Sequence, residues 1–138
     1  MEGKVLLVAL VVRDQARSLA FYTEKVGFEK KTDVTPAGGG RWVTVGPRGQ
    51  ELELALWPLG SPVDPAQQEW SKHWAPGKAP PIVIRVTDGR QVYEELKARG
   101  VEFLQPLTEQ PWGISATFRD PDGNLFSINQ PPTGRPSK

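Results

Sequence analysis

The sequence predicts an α+β fold made of two copies of one module, strand–helix–strand–strand–strand. Three observations lead there. The stretch 118–130, FRDPDGNLFSINQ, reads as strand, tight turn, strand, and so does 41–58, RWVTVGPRGQELELALWP. Their turn residues are related by one shift of 74 positions, which carries Pro47 to Pro121 and Gly49 to Gly123. The same shift carries Asp14 to Asp88, and each aspartate follows an apolar run and precedes a helical pattern.

Each element follows from local chemistry. Residues 4–12 alternate apolar side chains on both faces (Leu6, Val8 and Leu10 against Val5, Leu7, Ala9 and Val11), so a central strand is expected. This run is too short for a signal peptide, and Arg13, Asp14 and Gln15 follow it instead of small cleavage-site residues. Asp14 suits the cap of a helix over 15–26, with Leu19, Tyr22 and Val26 as its apolar stripe and Gly27 as its stop. Residues 28–34 read as a polar, peripheral strand. The glycines at 38–40 lack the Lys-Ser/Thr and the helix of a phosphate loop and read as a plain loop.

In the arm 51–57, Leu52, Leu54 and Leu56 share one face, and Glu53, Ala55 and Trp57 the other. Residues 59–79 form a proline-rich linker in which Trp70 and Trp74 lie one helical turn apart, as packing or interface residues. The second copy opens with a strand over 82–87. A helix with the capping pattern Asp88…Gln91 follows and ends at Gly100. Then come a strand at 101–106, a loop at 108–113 carrying Trp112, and a strand from Ile114. The chain is thus one domain, with module one at 4–58, the linker at 59–79, module two at 80–130 and a loose tail at 131–138.

Composition narrows the function. Net charge is +1 with no basic cluster, which argues against nucleic acid. No run reaches transmembrane length, which argues against a membrane. There is no cysteine, so thiolate catalysis, disulfides and zinc ribbons are excluded, and a reducing cytoplasm is a compatible location. Asp120, Asp122 and Asn124 are explained by the turn they form.

Taken together, VVRDQARSLAFYTEKVGFE (11–29), PWG (111–113) and FRDPDGN (118–124) resemble the vicinal oxygen chelate superfamily, which includes glyoxalase I, extradiol dioxygenases and bleomycin-resistance proteins. The resemblance covers nearly the whole chain. It implies two βαβββ modules whose mixed sheets curl into a cup around a ligand or metal, in a homodimer. Family enzymes hold a divalent metal with His and Glu from the first and fourth strands of each module. By alignment those positions are Leu7, Glu53, Pro81 and Ser127, and only Glu53 is a competent ligand. The lone histidine, His73, falls in the linker. A metal is therefore disfavoured, since a catalytic site typically has about three protein ligands.

The alternating sets that would line the cup are Val5, Leu7 and Ala9; Glu53, Ala55 and Trp57; Val83 and Arg85; and Ser127 and Asn129. Trp112 would stand at the rim, and Trp42 joins if its strand turns that face inward. Two readings of Glu53 and Arg85 stand side by side: a mutual ion pair, or charges that meet a ligand. Glu53 is also the one candidate general base. The expected function is metal-free binding of a small, partly aromatic molecule. The alternative is a metal-dependent lyase, isomerase or dioxygenase, or a metal-free enzyme using Glu53; a blander third reading is an interaction module whose cup is filled by its own side chains.

Overall fold

The computed structural model describes residues 1–37, 40–59, 76–77 and 81–132. The chain divides into two units, Met1–Ala79 and Pro80–Lys138, each holding one four-stranded mixed sheet of an α+β fold.

In the first unit β1 (Leu7–Val12) leads to a helix, α1 (Gln15–Ala20), followed by β2 (Glu29–Val34), β3 (Trp42–Gly46) and β4 (Glu53–Pro58). Sheet order is β1-β4-β3-β2, with β1 parallel to β4 and the other pairs antiparallel. Asp14 caps α1 by accepting from the Arg17 amide at 3.0 Å. Over Phe21–Val26 the helix widens into π geometry and ends at Gly27, whose φ of 87° suits a residue without Cβ. A regular α-helix was expected here. The wider turn lets two successive rings face inward: Phe21 and Tyr22 are both buried, and Tyr22 stacks on Phe28 with centroids 6.0 Å apart.

The first strand corrects one expectation. Residues 4–6 lie outside it, with Val5 and Leu6 exposed, and β1 stands at the edge of its sheet, not its centre. Its apolar pattern on both faces reflects burial above and below Leu10, Val11 and Val12. Strand β2 lies at the opposite edge, as its polar sequence implies.

The second unit contains β5 (Ile82–Arg85), α2 (Gly89–Ala98), β6 (Phe103–Gln110), β7 (Gly113–Arg119) and β8 (Leu125–Gln130), in the order β5-β8-β7-β6. Asp88 caps α2 through the Gln91 amide at 3.0 Å, while the Gln91 side chain donates to Glu95. The face beneath α2 is an aromatic row. Tyr93 meets Phe103, Phe103 meets Phe118, and Phe118 stacks on Phe126, at centroid distances of 4.6, 5.7 and 5.3 Å. The loop expected at 108–113 is mostly strand. Residues 108–110 extend β6, only Pro111 and Trp112 turn, and Gly113 already begins β7. Register shifts along β6 absorb Pro106, whose missing N–H a regular ladder would not accommodate.

Candidate ligand-binding face

The parallel register of β1 and β4 places Leu7 beside Glu53, Ala9 beside Ala55 and Val11 beside Trp57. Across β4, Thr44 stands opposite Ala55. Side chains alternate along a strand, so Trp42, two residues from Thr44, shares this face. Its ring meets that of Trp57 edge-on, with centroids 6.1 Å apart and planes at 89°. The face of Trp42 left open by the sequence is thereby settled. The opposite face carries the apolar set Leu10, Val12, Val43, Val45, Leu54 and Leu56, all buried.

Glu53 is held by its own sheet. The Thr32 hydroxyl donates to Oε1 at 3.1 Å, and the Thr44 hydroxyl donates to the same oxygen. Thr32 reaches it because β2 pairs Thr32 with Thr44. Two strand threonines thus fix the carboxylate's orientation. Nothing local in the sequence marks them; only the pairing of three strands brings 32, 44 and 53 together. The surface is stepped: Thr44 and Ala55 are 0% and 1% exposed, while Leu7, Ala9, Trp42 and Glu53 around them are half-buried. At the outer end of β3, Arg41 grips Asp33 through Nε and a terminal nitrogen, both at 2.8 Å. This grip holds the Asp33 carboxyl well below the usual carboxylate range.

In the second unit the face opposite the aromatic row is polar. The register lines up Val83, Ser127, Thr117 and Gln105, and beside them Arg85, Asn129, Ser115 and Thr108. Thr117 donates to Gln105 Oε1 at 3.2 Å, and Ser127 to the Ala116 carbonyl at 3.3 Å. Arg85 is exposed at the end of β5, and Trp112, at the hairpin tip, is 57% exposed. Pro81 precedes β5, and it is Val83 that pairs with Ser127. The position equivalent to Leu7 therefore moves from Pro81 to Val83. A two-residue slip keeps each side chain on its face, so the sheet accepts it.

A family metal does not fit the first unit's half of the ligand set. Leu7 has no donor atom, and one oxygen of Glu53 already accepts two hydroxyls. Among the described residues no three His, Cys, Asp or Glu side chains gather. His73, Trp70 and Trp74 lie outside the described residues.

These elements define a superfamily module with an altered site. A family model for the Glyoxalase/Bleomycin resistance protein/Dioxygenase superfamily matches residues 4–128, and the chain belongs to that superfamily. It is 39% identical to the uncharacterized Bacillus subtilis protein YurT over 92% of this chain and 98% of YurT. It is 33% identical to B. subtilis YetH over 89% of this chain and 94% of YetH. Among solved structures, UcmS2 superposes with a TM-score of 0.78 at 37% identity, covering 94% of this chain and 98% of its own. TnmS3, an antibiotic binding protein from Streptomyces sp. CB03234, superposes with a TM-score of 0.76 at 32% identity, covering 95% and 98%. No helix among the described residues is long and apolar enough to cross a membrane.

Proposed function

We propose that the chain binds a small, partly aromatic molecule without a metal, as a homodimer in the cytoplasm, sequestering or sensing that molecule. One observation carries this reading: Trp42 and Trp57 pair edge-to-face on the same sheet face as a carboxylate already committed to Thr32 and Thr44. The half-buried Trp42, backed edge-on by the buried Trp57, offers rigid apolar area for a flat ligand. The likeness to TnmS3, an antibiotic binding protein, supports a small-molecule ligand.

Titration of intrinsic tryptophan fluorescence against a panel of planar aromatic compounds, including antibiotics, tests it. Saturable quenching that weakens in Trp57→Leu is expected. No response from any compound overturns the reading. Elemental analysis of the purified protein is expected to find far less than one metal per chain. Stoichiometric, chelator-removable zinc, nickel, manganese or iron would favour a metal-dependent enzyme instead.

A further inference from the structure

Resting on that reading, we infer that the ligand is elongated and carries a cationic group, an amine or guanidine, at the end remote from its aromatic part. One face of the first sheet carries two chemically distinct stations. One is the half-buried Trp42, with the buried Trp57 edge-on behind it. The other is Glu53, on the same face of the same strand as Trp57 and four residues away. At about 3.3 Å per residue the two lie roughly 13 Å apart along β4. That is too far for one ammonium to touch both, and it suits a molecule with two ends.

The carboxylate is prepared for a donor. Both threonine hydroxyls converge on Oε1, and Oε2 accepts no hydrogen bond from the described residues. The cation nearest in sequence to this network is committed elsewhere: Lys31 donates to Glu29 at 3.0 Å and to the Gln50 carbonyl at 2.9 Å. A half-buried carboxylate with one oxygen fixed and the other open gains most from a charged donor, which makes the stronger class of hydrogen bond. An anionic end would meet repulsion, and a neutral end would leave the charge uncompensated.

Three dansyl probes test this, read by energy transfer from tryptophan to dansyl: dansylcadaverine, with a free terminal amine; its N-acetyl derivative, neutral; and dansyl-aminohexanoic acid, an anion of similar length. The expected order is amine over neutral by about tenfold, with the acid weakest. Glu53→Gln is expected to bring the amine-to-neutral ratio close to one, and Thr32→Val to lower it part of the way. Equal binding of amine and acid to the wild-type chain, which needs no variant to fold, overturns the inference and leaves aromatic binding standing. So does an amine preference that survives in a folded Glu53→Gln. Failure of all three probes to bind counts against both the inference and the aromatic site.

Discussion

Asp120→Ala tests whether the DPDGN turn is structural. Asp120 is 3% exposed, and its carboxylate organises the loop. Oδ1 accepts from the amides of Asp122 and Asn124 at 2.9 and 2.8 Å, and Oδ2 accepts from Asn124 Nδ2 at 2.9 Å. Alanine removes the acceptor for two backbone N–H groups and one side-chain amide, in a place where Asn124 is 1% exposed. Each bond to a charged acceptor is worth about 1.5–3 kcal/mol, and the three share one group, so a total loss of about 3–5 kcal/mol is expected. In urea, with a slope of about 2 kcal/mol per molar, the midpoint falls by roughly 2 M. Asp120→Asn keeps the Oδ1 acceptor but sets an amide nitrogen against Asn124 Nδ2, so it is expected to fall between. Adding Asn124→Asp restores a donor–acceptor pair and recovers much of the loss. A midpoint shift under about 0.5 M for the alanine variant, with slope unchanged, would refute the claim that the turn is why these carboxylates are there.

Two further outcomes follow from backbone geometry and charge. At Gly113, φ is 127° and a Cβ would stand 2.0 Å from the Gln130 carbonyl oxygen, whereas at Gly49, φ is 82° with nothing within 4 Å. Gly113→Ala is therefore expected to cost several times the roughly 1–2 kcal/mol that left-handed strain costs Gly49→Ala, as read from paired urea melts. The Asp33 carboxyl is lowered from its ordinary 3.8, chiefly by the hydrogen bonds from Arg41. A depressed carboxylate contributes stability that is present above its unfolded value and lost as pH falls below it. Asp33→Asn is thus expected to flatten the decline of melting temperature below about pH 4, with its deficit largest near neutrality.

The caps, helix stops and turns were legible because each is decided within a few residues. Asp14 and Asp88 cap, Gly27 and Gly100 carry positive φ, and Asp120 bonds its own loop. The orientation of Trp42 was not legible, and the internal repeat itself was the obstacle. A shift of 74 carries Trp42 to Ala116, which lies opposite Ile128 on the face shared with the aromatic row. The same shift would pair Phe118 with Asn129 as Thr44 pairs with Ala55, yet Phe118 pairs with Phe126 and Asn129 with Ser115. The two hairpins share a turn but differ in register by three residues. An odd slip moves a strand's side chains to the other face, so only long-range pairing could place Trp42 beside Trp57. The same limit hid Thr32 and Thr44, whose role exists only once three strands are aligned.

The repeat also explains where function can reside. In each sheet one face is apolar, Leu54 and Leu56 with Val43 and Val45 in the first, Phe118 and Phe126 with Ile128 in the second. Each helix must cover such a face, and burial holds those positions to apolar residues. The remaining faces carry no such requirement and have diverged. The row Ala9, Ala55, Thr44 and Thr32 in the first sheet answers to Arg85, Asn129, Ser115 and Thr108 in the second. Thr117, Ser127 and Thr108 in the second sheet bond within their own unit, to Gln105, the Ala116 carbonyl and the Pro106 carbonyl. Glu53 too bonds within its sheet, through Thr32 and Thr44, but it carries a charge. Glutamine would keep its shape and accept the same two hydroxyls, more weakly but at lower desolvation cost. Urea melts of Glu53→Gln separate the two roles: an unchanged midpoint leaves the charge to the proposed ligand, and a lowered midpoint assigns it to the sheet.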